Sequence, residues 1–182
     1  MFEISFYKME LVFAVIWLLT RVTIWRRRGR IDWKREAVLF LMYINLAVII
    51  RFVFFPRGLV DGHIQPLVFD TTAMLPLRVN FVPLVHLLEY GSVRDMIWNV
   101  VGNAAMFVPS GIVLPIIYKR LKSFGRVIAA SAFISLCIEI LQLPFASRAS
   151  DIDDIILNTL GAAVGYGIYV LVKRIRGLIE LK

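Results

Sequence analysis

The sequence predicts an all-α integral membrane protein. The expected architecture is a five-helix transmembrane bundle with its N-terminus outside and its C-terminus cytoplasmic. An extracellular loop or interfacial helix separates the second and third spans. Three observations carry this reading. Of 182 residues, 59% are hydrophobic and only 19% are charged, whereas soluble domains run at roughly 45–50% apolar. A globule this small has too little interior to hide the excess. Five apolar stretches approach the roughly 20 residues that a helical crossing needs. The 21 Lys and Arg behind the net charge of +8 sit between those stretches, so the charge orients a membrane protein rather than marking a nucleic-acid surface. A single cysteine, Cys137, excludes a disulfide scaffold.

The first stretch, Ile4–Ile24, is interrupted by Lys8, Glu10 and Arg21. Its basic residues follow the apolar run and no small-residue cleavage site comes after it, so it reads as a retained anchor and not a signal peptide. Ala37–Phe55 is the second span, making residues 1–60 a pair of N-terminal helices. Residues 61–96 form a connection too long for a turn, with Pro66, Pro76 and Pro83. Within it, Leu84–Tyr90 has the mixed polarity of a short interfacial helix. Ile97–Tyr118, Val127–Phe145 and Ile155–Val172 are the spans of a core over residues 79–172, and residues 173–182 form a basic tail.

Loop charge sets the predicted orientation. Arg26, Arg27, Arg28, Arg30, Lys34 and Arg35 follow the first span; Lys119, Arg120, Lys122 and Arg126 follow the third; Lys173, Arg174, Arg176 and Lys182 end the chain. The other side holds only Lys8, Arg57, Arg78, Arg94 and Arg148. The positive-inside rule therefore puts the first set in the cytoplasm.

Polar residues inside the spans call for a function, because an ionised group at mid-bilayer costs roughly 2.5–3.5 kcal/mol. At 1.5 Å per residue, Asn99 lies about 3 Å and Asn103 about 9 Å below the outer surface. Gln142 falls at about 4–5 Å, Glu139 at about 9 Å, and Asn158 and Arg51 at about 6 Å. Four helices thus place polar side chains in one outer-leaflet layer. Asn99 and Asn103, like Asp154 and Asn158, are i, i+4 pairs; Glu139 and Gln142, like Asp151 and Asp154, are i, i+3. Just outside, Arg148 stands beside Asp151, Asp153 and Asp154, with Asp153 reading as a helix cap.

Other residues have simpler explanations. Arg51 snorkels outward or meets Glu139, Asn45 bonds between helices, and Cys137 acts as a small hydrophobe. Gly161, Ala162, Gly165 and Gly167 form a small-residue packing face. His63 and His86 lack partner ligands for a metal. The sequence has no G-x-S-x-G, no H-E-x-x-H, no phosphate-binding glycine loop and no cysteine pair. Asp151 and Asp154 offer oxygen ligands for a hard cation, but their spacing does not demand one. No cofactor is predicted.

The order and spacing of several motifs resemble the VanZ-like membrane proteins. They are Asn80-Phe81-Val82-Pro83, then Asn99-Val100-Val101-Gly102-Asn103, then Phe107-Val108-Pro109-Ser110-Gly111 with Leu114-Pro115. The resemblance continues through Ser135, Glu139, Gln142, Arg148, Asp151, Asp154, Asn158, Gly161 and Gly165. It covers roughly half the chain, and as a set the motifs are specific. The resemblance implies a bacterial plasma-membrane protein linked to resistance to teicoplanin, a glycopeptide, and adds Asn80 to the candidate ligand-binding set of Asn99, Asn103, Glu139, Gln142, Arg148, Asp151, Asp154 and Asn158.

Three functions fit these residues. The preferred one is non-catalytic binding of an amphiphilic cell-envelope ligand at the outer leaflet, a lipid-linked wall precursor or a lipoglycopeptide. The second is an intramembrane enzyme acting on a polyprenyl-phosphate or glycolipid, with Glu139 as candidate acid or base, Asp151 and Asp154 as orienters or metal ligands, and Arg148 as phosphate clamp. The third is a structural or regulatory membrane partner. Membrane lipids, a lipid-linked precursor or a glycopeptide are the expected partners; nucleic acid is not.

Overall fold

A computed structural model describes residues 2–56, 58–70, 78–83, 91–145 and 148–179. The fold is α-helical: α1 (Phe6–Arg28), α2 (Trp33–Ile49), α3 (Val93–Ile117), α4 (Phe124–Gln142) and α5 (Ile152–Ile179). Counting the π-helical continuation of α2 through Ile50–Phe54, four of these helices are long and apolar enough to cross a bilayer. The chain is therefore a helical membrane protein. α1 has the length of a span but carries Lys8, Glu10 and Arg21.

Helix ends differ from the apolar windows because polar caps lie outside them. The Ser5 hydroxyl accepts the Lys8 N–H at 3.4 Å, and Asp32 accepts the Arg35 N–H at 3.2 Å. Ser92 accepts the Asp95 N–H at 3.1 Å, which starts α3 four residues before its predicted apolar run. Such side chains satisfy donors that a helix start leaves unpaired. Gly29 ends α1 in the left-handed region, at φ 65°.

Short strands, which hydropathy did not predict, join the helices: β1 (Phe2–Ile4), β2 (Leu59–Val60), β3 (His63–Ile64), β4 (Leu67–Phe69), β5 (Val79–Asn80) and β6 (Ser150–Asp151). The β2–β3 hairpin turns on Asp61 (φ 51°) and Gly62 (φ 75°), the Asp-Gly pair suited to a tight turn with two positive φ angles. His63 is exposed on this hairpin. The expected interfacial helix at Leu84–Tyr90, His86 included, lies outside the described residues.

The chain folds as two compact units. The first comprises Met1–Arg78 with Gln142–Arg148. In it, β1 pairs antiparallel with β4, and Trp17, Phe40 and Phe13 pack around Tyr43, with Phe13 stacked at 5.1 Å. Arg21, which looked like an interruption of an apolar run, is only 7% exposed. Its Nε donates to Glu36 Oε2 at 2.8 Å, and its Nη2 bonds the other carboxylate oxygen. This two-pronged ion pair ties α1 to α2. Arg51, instead of reaching outward alone, donates to the Pro56 carbonyl at 2.9 Å and lies over the Phe6 and Phe52 rings.

The second unit comprises Val79–Leu141 with Ala149–Lys182, and its centre is the packing of α3 on α5. The two helices run parallel, with Ala104 against Gly161 and Val108 against Gly165. A Cβ at Gly111, Gly161 or Gly165 would overlap a main-chain carbonyl oxygen of the facing helix, belonging to Ala162, Ala104 and Val108 respectively. Such close approach replaces the missing hydrophobic drive between helices in lipid. Ala162 is fully buried in this seam. Gly167 is not part of it: a Cβ there meets nothing within 4 Å, because the residue is exposed away from α3. Cys137 is half-buried on α4.

Two stability predictions follow. Removing one partner of a buried ion pair costs about 3–5 kcal/mol, so Arg21→Ala should lower the denaturation midpoint in detergent strongly, while Arg21→Met with Glu36→Met together should recover most of the loss. Gly161→Ala and Gly165→Ala should reduce thermal stability, whereas Gly167→Ala should be neutral or gain up to about 1 kcal/mol of helix propensity. Equal behaviour of the three alanine variants in a thermal-unfolding assay would contradict the seam.

Candidate functional site

The buried side of α4 is unusually polar. Val127, Ser131, Ser135, Ile138, Glu139 and Gln142 recur at helical spacing, and all are buried. Ser131 and Ser135 are fully enclosed, and Glu139 is 4% exposed. In the second unit this polar face meets the start of α5 and the short parallel pairing of β5 with β6.

Asp151 is the centre of that meeting. The strand register sets Asn80 opposite Asp151, and the Asn80 Nδ2 donates to Asp151 Oδ1 at 3.0 Å. The same oxygen accepts the Asp153 N–H at 2.9 Å, which makes Asp151 the N-cap of α5. The Asp151 N–H in turn donates to Glu139 Oε2 at 3.0 Å, while the Ser150 hydroxyl donates to the Glu139 main-chain oxygen at 2.7 Å. Asp153, expected as the cap, lies within the first turn of α5 and donates its N–H to the cap instead. Asn80 also closes on its own loop, where its Oδ1 accepts the Val82 N–H at 3.0 Å.

A second group joins α3 to α5. The Asn103 amide donates to the Asp154 carboxylate and, at 3.4 Å, to Asn99 Oδ1. Deeper along α5, Asn158 is 2% exposed and donates to the Ser135 hydroxyl at 2.9 Å. Its Oδ1 has no partner among the described atoms, and neither does the buried hydroxyl of Ser131. Seven of the nine predicted ligand-binding residues therefore belong to this unit: Asn80, Asn99, Asn103, Glu139, Asp151, Asp154 and Asn158.

The other two belong to the first unit. Gln142 Nε2 donates to the Val53 carbonyl at 2.8 Å, and Arg148 Nε donates to the Phe54 carbonyl at 2.9 Å. Both oxygens terminate the π-helical end of α2, where carbonyls have no helical donor and a cation is favoured. Around them Phe145 packs edge-on against Phe54 and Phe69, and its carbonyl accepts from Arg78 at 3.2 Å.

Sequence reasoning missed Ser150 and gave no role to Ser131. The available signal was Ser131, Ser135 and Glu139 at i, i+4 and i+8 along an otherwise apolar helix. Among the described residues no three His, Cys, Asp or Glu side chains form a metal-holding group.

Apolar helices enclosing a hydrogen-bonded polar cluster define a polytopic membrane protein with a hydrophilic interior. The chain belongs to the VanZ/LLP1 family, whose model matches residues 40–173. Protein VanZ of Enterococcus faecium is 38% identical over 81 residues, which are 44% of this chain and 47% of that protein. The match thus spans about half the length of the curated relative. No solved structure matches.

Asp151→Asn keeps an acceptor for both the Asp153 N–H and Asn80, whereas Asp151→Ala removes it. Alanine should cost about 1–2 kcal/mol, the range for losing an N-cap, and asparagine close to nothing. Denaturation of the two variants in detergent measures the difference; an equal loss in both would remove Asp151 from the capping role.

Proposed function

We propose that this protein binds an amphiphilic cell-envelope molecule, a lipid-linked wall precursor or a lipoglycopeptide, without catalysing a reaction. Through that binding it contributes to glycopeptide resistance of the teicoplanin type or to envelope homeostasis. The observation that supports this reading is the polar cluster of the second unit. Asn80, Asn99, Asn103, Glu139, Asp151, Asp154 and Asn158 all lie near one end of α3, α4 and α5, where amide and carboxylate groups suit sugar, peptide and phosphate-linked groups. The Asn158 Oδ1, buried without a partner among the described atoms, adds a further acceptor to the cluster. Family membership supports the link to resistance. The charge asymmetry of the loops supports an orientation with the N-terminus outside, the C-terminus cytoplasmic and the cluster in the outer leaflet of a bacterial plasma membrane.

The test combines chemistry with phenotype. Lipid extraction of purified protein followed by mass spectrometry is expected to release one enriched amphiphile, and Asn103→Ala or Asp154→Asn to lose it. The same variants, at membrane levels matched to wild type, should behave as the deletion strain in a teicoplanin-susceptibility assay. Recovery of bulk phospholipid only, or wild-type susceptibility in both variants, would overturn the assignment.

A further inference from the structure

At the end of α3 and α5 away from the polar cluster, a lateral groove of about 600 Å³ lies between the two helices. That volume lies in the roughly 300–1,000 Å³ range of ligand sites. Ile112 and Ile116 of α3 face Ile168, Tyr169 and Val172 of α5 across it, and Lys173, Arg176 and Gly177 form its mouth. Ile116, Ile168 and Val172 are each 40% exposed or more. Gly177 widens the mouth, since nothing lies within 4 Å of where its Cβ would stand.

Depth and charge identify the occupant. The apolar run of α5 ends at Val172, so Lys173 and Arg176 stand at headgroup level while the apolar walls run toward mid-bilayer. Below those cations the apolar walls, from Ile168 to Val172 on α5 and from Ile112 to Ile116 on α3, each run about 6 Å at 1.5 Å per residue, which accommodates the headgroup-proximal part of an acyl chain. A second depression of about 340 Å³ beside it on α5 shares Tyr169, Lys173 and Gly177 and adds Lys122 and Arg174. Among the described residues no acidic side chain lines either hollow. An apolar slot with Lys173 and Arg176 at its mouth is complementary to a lipid bearing a phosphate without a compensating ammonium group.

We propose that this end of the second unit is a binding site for an anionic phospholipid, with an acyl chain between α3 and α5 and the phosphodiester on Lys173 and Arg176. The guanidinium supplies a paired, charge-assisted contact to phosphate oxygens, and the ammonium a second one. The site uses none of the residues of the polar cluster and stands independently of the function proposed for it.

Native mass spectrometry of the full chain, released from micelles doped with equal amounts of phosphatidylglycerol and phosphatidylcholine of identical chains, tests the site. Phosphatidylglycerol should be retained at least about tenfold over phosphatidylcholine, as expected for two cations near an anionic headgroup, and should raise the melting temperature. Glycerol phosphate without acyl chains should do neither. Lys173→Gln with Arg176→Gln should abolish the preference, and Ile168→Trp, which fills the apolar walls and keeps both cations, should abolish retention. Arg94→Gln should preserve both. Equal retention of the two lipids, an unchanged preference in the Lys173/Arg176 double variant, stabilisation by glycerol phosphate alone, or a dimer that Ile168→Trp dissociates would overturn the proposal.

Discussion

The close approach of α3 to α5 is the constraint on which the second unit depends. Lipid tails are as apolar as leucine, so helices in a bilayer associate through packing and polar contacts rather than by escaping water. Gly111, Gly161 and Gly165 let two main chains approach without intervening side chains. That contact also fixes the height of one helix against the other. With Ala104 seated on Gly161, Asn103 is one residue from the seam and Asp154 two turns from it, and their side chains meet. A wider spacing would leave a buried amide and a carboxylate without each other in a medium that gives neither a substitute.

The same rule of matching polar groups organises both units in different ways. In the first unit a buried guanidinium and carboxylate neutralise one another between α1 and α2, and side-chain donors take the terminal carbonyls of α2. In the second, Asp151 serves at once as strand residue, helix cap and partner of Asn80, while its own N–H holds Glu139. Three acids, Asp151, Asp153 and Asp154, gather at the positive end of the α5 dipole.

The helices were legible in the sequence because hydropathy reports burial in lipid directly. Their ends were less so, since Ser5 and Ser92 cap from polar positions that a hydropathy window discards. The Asp61-Gly62 turn carried a readable signal inside what looked like featureless connection. The pairing of Asn80 with Asp151 did not, because hydrogen bonding between two-residue strands far apart in sequence leaves no periodicity. Depth reasoning put Asn103 about 9 Å below the surface and Asp154 just outside, yet the two side chains bond. Height also does not fix direction around a helix axis: Gln142 Nε2 and Arg148 Nε donate to carbonyls at the end of α2, a pairing no depth estimate reveals. Arg21 looked like an interruption of an apolar run because hydropathy does not reveal a partner, Glu36, fifteen residues away.

The parallel pairing of Val79–Asn80 with Ser150–Asp151 closes a loop containing all of α3 and α4. Joining the ends of so long a segment carries an entropic cost that only later contacts offset. Chains emerge from the ribosome N-terminus first. Asn103 and Glu139 are therefore synthesised before the residues that bond them, and the start of α5 is the last component to arrive. Biogenesis of the cluster is ordered by topology: its acids and amides enter the membrane unmatched, and the final helix locks them as it is translated.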